Sequence, residues 1–116
     1  MSEIRQGQVH WLDFGPARSS APAERHPCVV VQNDVFNQSA IATTVVCLIT
    51  SNLSRAGAPG NGLLKKGEAN LPKESVVNIT QILTVDKAEL AECIGKLSSK
   101  PAAAVREGLY MLFDRL

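Results

Sequence analysis

Aromatic side chains are scarce in this 116-residue chain: one Trp, one Tyr and three Phe, 4% of the residues. Several of those rings are needed for a core, which leaves too few for a surface built on rows of stacked bases. An excess of one charge is missing as well. Lys and Arg number 12 against 11 Asp and Glu, a net charge of +1, so a polyanionic partner has to be held by a local basic patch rather than by the whole molecule's field. No apolar run approaches the roughly 20 residues that span a bilayer. Met1 to Gln8 is polar and carries no secretory signal, so the chain is expected in the cytoplasm with no membrane contact. The three cysteines, Cys28, Cys47 and Cys93, are odd in number, widely spaced and set among apolar neighbours, with no CxxC pair. That pattern suits reduced core thiols better than a disulfide framework. The only histidines are His10 and His26, too few for the usual zinc set, and no metal or other cofactor is expected.

What is present is an ordinary globular balance, 45% hydrophobic and 20% charged. The length suffices for one core, so residues 1–116 are expected to form a single domain, with no internal repeat or linker. Gln8 to Phe14 (QVHWLDF) alternates in the manner of a strand, and Gly15 to Glu24 has the Gly, Pro, Ser and Ala content of a long exposed loop. Pro27 opens an apolar run, CVVVQN, that suits a buried strand, and an Asn- and Gln-rich turn follows from Asn33 to Ser39. Thr43 to Thr50 (TTVVCLIT) is a second buried strand, and Ser51 to Gly62 is a flexible stretch. Leu63 to Glu68 and a long, bent strand from Ser75 to Val85 are separated at Pro72.

The last third changes character. Asp86-Lys87-Ala88-Glu89 has the form of a capping box, Leu90, Cys93 and Ile94 share a face at helical spacing, and Gly95 suits a helix stop. A second helix is expected from Ser99-Lys100-Pro101 onward, with Val105, Leu109, Leu112, Phe113 and Leu116 along one stripe. Strands first and helices last make an α+β domain, its small curved antiparallel sheet curled towards a barrel and its terminal helix packed on it.

Several segments carry a resemblance. Gly7 to Pro16 (GQVHWLDFGP) is followed, after a loop, by His26 to Asp34 (HPCVVVQND). Leu48 to Leu53 (LITSNL), Ser75-Val76-Val77, Gln81 to Asp86 (QILTVD) and Leu90 to Leu97 with its Ile94-Gly95 come next in order. Together these segments resemble the MazF/PemK toxin family across nearly the whole chain. The resemblance implies an SH3-like barrel, a two-fold homodimer, and metal-independent cleavage of single-stranded RNA by attack of a ribose 2′-hydroxyl on the adjacent phosphate. It also implies a cognate antitoxin whose disordered segment folds across the RNA groove.

In that family an arginine before the valine-rich strand and a threonine after the third strand are assigned the catalysis. The residue immediately before the proline is here His26, with Arg25 one place earlier, and Leu48 to Leu53 supplies Thr50. His26 can serve as acid or base near neutrality, and Arg25 can clamp a phosphate through two donors. Neighbours on a strand point to opposite faces, so both reach one site only where the chain is irregular. Arg18, Ser19, Ser20, Ser51, Asn52 and Gln81 are the corresponding RNA-binding candidates. Ala21-Pro22, Ala23, Thr80 and Leu83 depart from the family pattern and leave the site poorer in charge.

Taken singly, these residues have plainer readings. A lone histidine before a proline is most often a loop residue, a threonine in a strand is β-branched filling, and Arg18, Arg25, Lys65 and Lys66 suit solvated surfaces. His10 and Trp11 suit packing against the core or a second subunit. Two other functions stay open at this point: a protein-binding gyrase poison of the CcdB kind, and an inactive family member acting as an interaction module.

Overall fold

The computed structural model describes residues 3–13 and 25–116. The loop expected at Gly15 to Glu24, with Arg18, Ser19 and Ser20, lies outside them. Six strands are present: β1 (Gln8–Asp13), β2 (Arg25–Val30), β3 (Thr43–Thr50), β4 (Gly62–Leu64), β5 (Ser75–Asp86) and β6 (Leu90–Lys96). Two α-helices join them, the single turn α1 (Asp34–Asn37) and the terminal α2 (Ser99–Phe113). The strands form one curled sheet in the order β4-β5-β3-β2-β1-β6, antiparallel throughout.

The period-two alternation of β2 and β3 divides the apolar residues between the faces of the sheet. Val9, Val29, Cys47, Ile49 and Val77 face α2 and pack with Leu97 and Val105, all of them buried. Leu12, Cys28, Val30, Val46 and Val85 form a second cluster on the opposite face, which the curl of the sheet closes over with Leu48, Leu83 and Leu90. Burial pushes the Cys28 thiol up to about 12 and the Cys47 thiol up to about 11, so both stay protonated at neutral pH.

The C-terminal third corrects four expectations. The capping box does form, with the Asp86 amide donating to Glu89 Oε1 at 2.9 Å, but it opens only a 3-10 turn, Lys87–Glu89. The chain then continues as β6, not as a helix. The outer edge of β1 pairs with Leu90, Cys93, Gly95 and Lys96, and two register shifts against β1 break the strand alternation. Leu90, Cys93 and Ile94 do not share one face: Leu90 packs on the second cluster and Ile94 on the first. Gly95 stops no helix; a Cβ there would overlap the Ala69 backbone that crosses it. Cys93, expected in the core, is exposed. The apolar stripe of α2 covers the sheet only in its first half. Val105 is buried, whereas Leu112, Phe113 and Leu116 are exposed because the helix outruns the sheet. The turn at Asn33 to Ser39 also holds α1, capped by Asn33 Oδ1 accepting from the Val35 amide at 2.8 Å.

The start of α2 falls where expected, and Glu68 caps it: the Ser98 amide and hydroxyl donate to its carboxylate at 2.8 and 3.0 Å. Midway along α2, Gly108 lets the helix touch the Gly60 carbonyl, and a Cβ there would also lie 2.9 Å from Ile79 Cγ1. Gly108→Ala is therefore expected to destabilise the fold by about 1–3 kcal/mol, read from denaturant midpoints. Gly57→Ala, where nothing lies within 4 Å, should stay within about 0.5 kcal/mol. Titration with a chromogenic disulfide at neutral pH should find one fast thiol, Cys93, and all three only after unfolding.

Candidate active site

The site is built where β3 and β5 fall out of register. Cys47 pairs with Ile82 and Ile49 with Val77, leaving Asn78, Ile79, Thr80 and Gln81 opposite Leu48 alone. A bulge of this kind bends the strand and re-aims its side chains. Asn78 is buried in the apolar run VVNIT and satisfied on both sides. Its Oδ1 accepts from Asn61 Nδ2 at 2.9 Å, and its Nδ2 donates to Gln81 Oε1 at 2.9 Å. Asn61 in turn accepts from the Ile79 amide at 2.9 Å and donates to the Arg55 carbonyl at 3.0 Å. One asparagine thus ties the bulge to the 3-10 turn Leu53–Gly57.

Thr50 ends β3 at the lip of this region. Its Oγ1 accepts from the Asn52 amide at 3.1 Å, which leaves the hydroxyl hydrogen to donate into solvent or a ligand. Asn52 caps the 3-10 turn, accepting from the Ser54 amide at 3.2 Å and the Ser54 hydroxyl at 2.7 Å.

Two clefts meet here. One, of about 380 Å³, is lined by His26, Thr50, Asn52, Arg55, Asn78 and Gln81 together with Leu48 and Ile49. The other, of about 270 Å³, runs from Trp11, Arg25 and Pro27 past Ser51 to Lys73 and Ser75. His26, Ile49 and Thr50 line both. Arg25 and His26 both border the 270 Å³ cleft even though they pair in unbroken register with Asp13 and Leu12, and only His26 extends into the second. Arg25 is already engaged: Nε lies 3.3 Å from Asp13 Oδ1, Nη2 lies 3.8 Å from Glu92 Oε1, and Cζ sits 5.2 Å from the Trp11 ring centre.

Of the sequence-based candidates, Arg25, His26, Thr50, Ser51, Asn52 and Gln81 therefore gather on one surface, and Arg18, Ser19 and Ser20 lie outside the described residues. Sequence reasoning missed Lys73 and Asn78, included Arg55 only within the loop Ser51 to Asn61 expected to line an RNA groove, and placed Trp11 in packing rather than beside a cleft. Asn78 carried a signal, a polar residue inside an apolar strand; Arg55 and Lys73 carried none beyond their charge. His10 is buried away from the clefts, its ring nitrogens 3.0 Å from the Ala91 carbonyl and 2.9 Å from Gln8 Oε1.

Chemically, the surface offers an imidazole beside a hydroxyl donor, flanked by guanidinium groups, and it suits proton transfer next to a phosphate. Two larger hollows, of about 410 and 470 Å³, border α2 and hold none of His26, Thr50, Arg25 and Arg55.

The family model for PemK-like, MazF-like toxins of type II toxin–antitoxin systems matches residues 5–113. The chain belongs to that family. Endoribonuclease MazF2 of Mycobacterium bovis and endoribonuclease MazF6 of Mycobacterium tuberculosis are each 38% identical to it over 111 residues, covering 96% of this chain and 97% of theirs. The same fold occurs in a mycobacterial endoribonuclease solved in complex with its cognate antitoxin, at a TM-score of 0.79 and 20% identity over 97% of both chains. Every described residue of the two joined clefts in this MazF-like chain falls inside the matched span.

Proposed function

We propose that this MazF-like toxin is an endoribonuclease that cuts single-stranded RNA without a metal, at the junction of the two clefts. The observation that carries the reading is the common wall formed by His26 and Thr50, which sets an acid–base group beside a phosphate donor. In the reaction a base takes the proton of a ribose 2′-hydroxyl, and that oxygen bonds to the adjacent phosphorus. The bond from phosphorus to the 5′-oxygen breaks, and an acid returns a proton to the leaving oxygen. The products are a cyclic phosphate and a 5′-hydroxyl, with no net consumption of water at this stage.

His26 serves as one of the two proton-transfer groups, and the Thr50 hydroxyl donates to a phosphate oxygen. Arg25 adds positive charge from the Trp11 side. Asn52, Ser51 and Gln81 are polar and exposed, and they contact the RNA through hydrogen bonds; Arg18, Ser19 and Ser20, outside the described residues, are the remaining RNA-binding candidates. The protein acts in the cytoplasm as a homodimer of one-domain chains, residues 1–116, and a cognate antitoxin neutralises it by covering the clefts. A CcdB-like gyrase poison and an inactive interaction module are not favoured, because the relatives that match nearly the full chain are named endoribonucleases.

Purified protein incubated in excess EDTA with a long single-stranded RNA should give discrete cuts bearing cyclic phosphates and 5′-hydroxyls. His26→Ala should slow cleavage by about 10²–10⁴, and Thr50→Ala, which removes one donor to the phosphorane, by about 10²–10³. Intact RNA from folded wild-type protein would end the ribonuclease reading.

A further inference from the structure

Arg55 sits on the 3-10 turn Leu53–Gly57 and lines the 380 Å³ cleft with His26, Thr50 and Gln81. Its backbone is held at three points. The amide donates to the Asn52 carbonyl at 3.1 Å, and the carbonyl accepts from the Ala58 amide at 3.1 Å and from Asn61 Nδ2 at 3.0 Å. Its guanidinium, by contrast, is in no ion pair among the described residues. The site thus has a fixed anchor for a cation whose charge is uncompensated.

Arg25 is the opposite case. It borders only the 270 Å³ cleft, and turning it onto a phosphate gives up its contacts with Asp13, Glu92 and Trp11. A cation with no ion pair of its own gives up no partner when it turns onto a phosphate, and its fork of donors meets two phosphate oxygens at once. We propose that Arg55 is the phosphate clamp of this toxin, its guanidinium donating to the non-bridging oxygens of the scissile phosphate across from Thr50. The inference rests on the ribonuclease reading above and adds to it a substrate-contacting residue that the family resemblance did not supply.

The test uses the full chain in excess EDTA and compares wild type, Arg55→Gln, Arg55→Lys and, as a control on exposed α2, Arg106→Gln. Two quantities are read: the cleavage rate at one mapped cut, and the salt dependence of binding to the same RNA made uncleavable by a 2′-deoxy sugar at that cut. Arg55→Gln should lower the rate by about 10²-fold. It should also flatten the slope of log K against log salt by about 0.7, the value for one phosphate on a single strand. Arg55→Lys should recover the slope but only part of the rate, since an ammonium cannot reproduce the two-donor fork. Arg106→Gln should leave both unchanged, and all variants should unfold at the wild-type midpoint.

If wild type cuts RNA and Arg55→Gln matches it in rate and slope, Arg55 is a solvated surface charge and the inference fails while the ribonuclease reading stands. Full recovery of rate by lysine would equally overturn the clamp. If wild type cuts nothing, the ribonuclease reading itself fails and the clamp falls with it.

Discussion

The register break between β3 and β5 is the constraint on which the site depends. A regular ladder would have placed Asn78 and Gln81 on strand faces, with their backbone groups absorbed by the neighbouring strand. The extra residues instead open a pocket at the end of β3. Asn61 closes the resulting gap by bonding to Asn78, to the Ile79 amide and to the Arg55 carbonyl. Buried polar groups are costly unless fully partnered, and this network leaves none of its members unsatisfied. The same bonds that make the bulge tolerable therefore also set the positions of Arg55, Gln81 and the turn after Thr50.

Charge follows a similar economy of place. The chain as a whole is almost neutral, so attraction for a polyanion comes from where its cations sit. Arg25 and Lys73 border one cleft and Arg55 the other, with His26 and Thr50 between them. Asp13 and Glu92 offset Arg25, and nothing among the described residues offsets Arg55. Exposed ion pairs of the Arg25 kind contribute little to stability; their consequence here is to fix one guanidinium against Trp11 while the other stays available.

Much of the sheet was legible in the sequence because burial on both faces leaves a strong trace. Thr43 to Thr50 and the valines after Pro27 read as strands from composition alone, and α2 began where Ser99 to Pro101 placed it. β6 was not legible. Its bulges against β1 break the period-two alternation that marks a strand, and a genuine capping box stands directly before it, so local and tertiary signals conflict and the open strand edge prevails. The exposed end of α2 was likewise hidden, since a periodic stripe does not tell how far the sheet beneath it extends. For the site, Thr50, His26 and Arg25 stood out only through the order of family-like segments. Arg55 and Lys73 could not, because their importance comes from what lies across the cleft and not from any neighbour in the chain.

The proposed function requires that RNA be held at the ridge shared by the two clefts. A crystal structure of the protein with a short single-stranded RNA, made uncleavable by a 2′-deoxy sugar at the mapped cut, tests it most directly. The scissile phosphate should lie within hydrogen-bond distance of the Thr50 hydroxyl and the His26 ring, with flanking nucleotides extending towards Trp11 on one side and Gln81 on the other. RNA seated instead along α2, with His26 and Thr50 untouched, would contradict it.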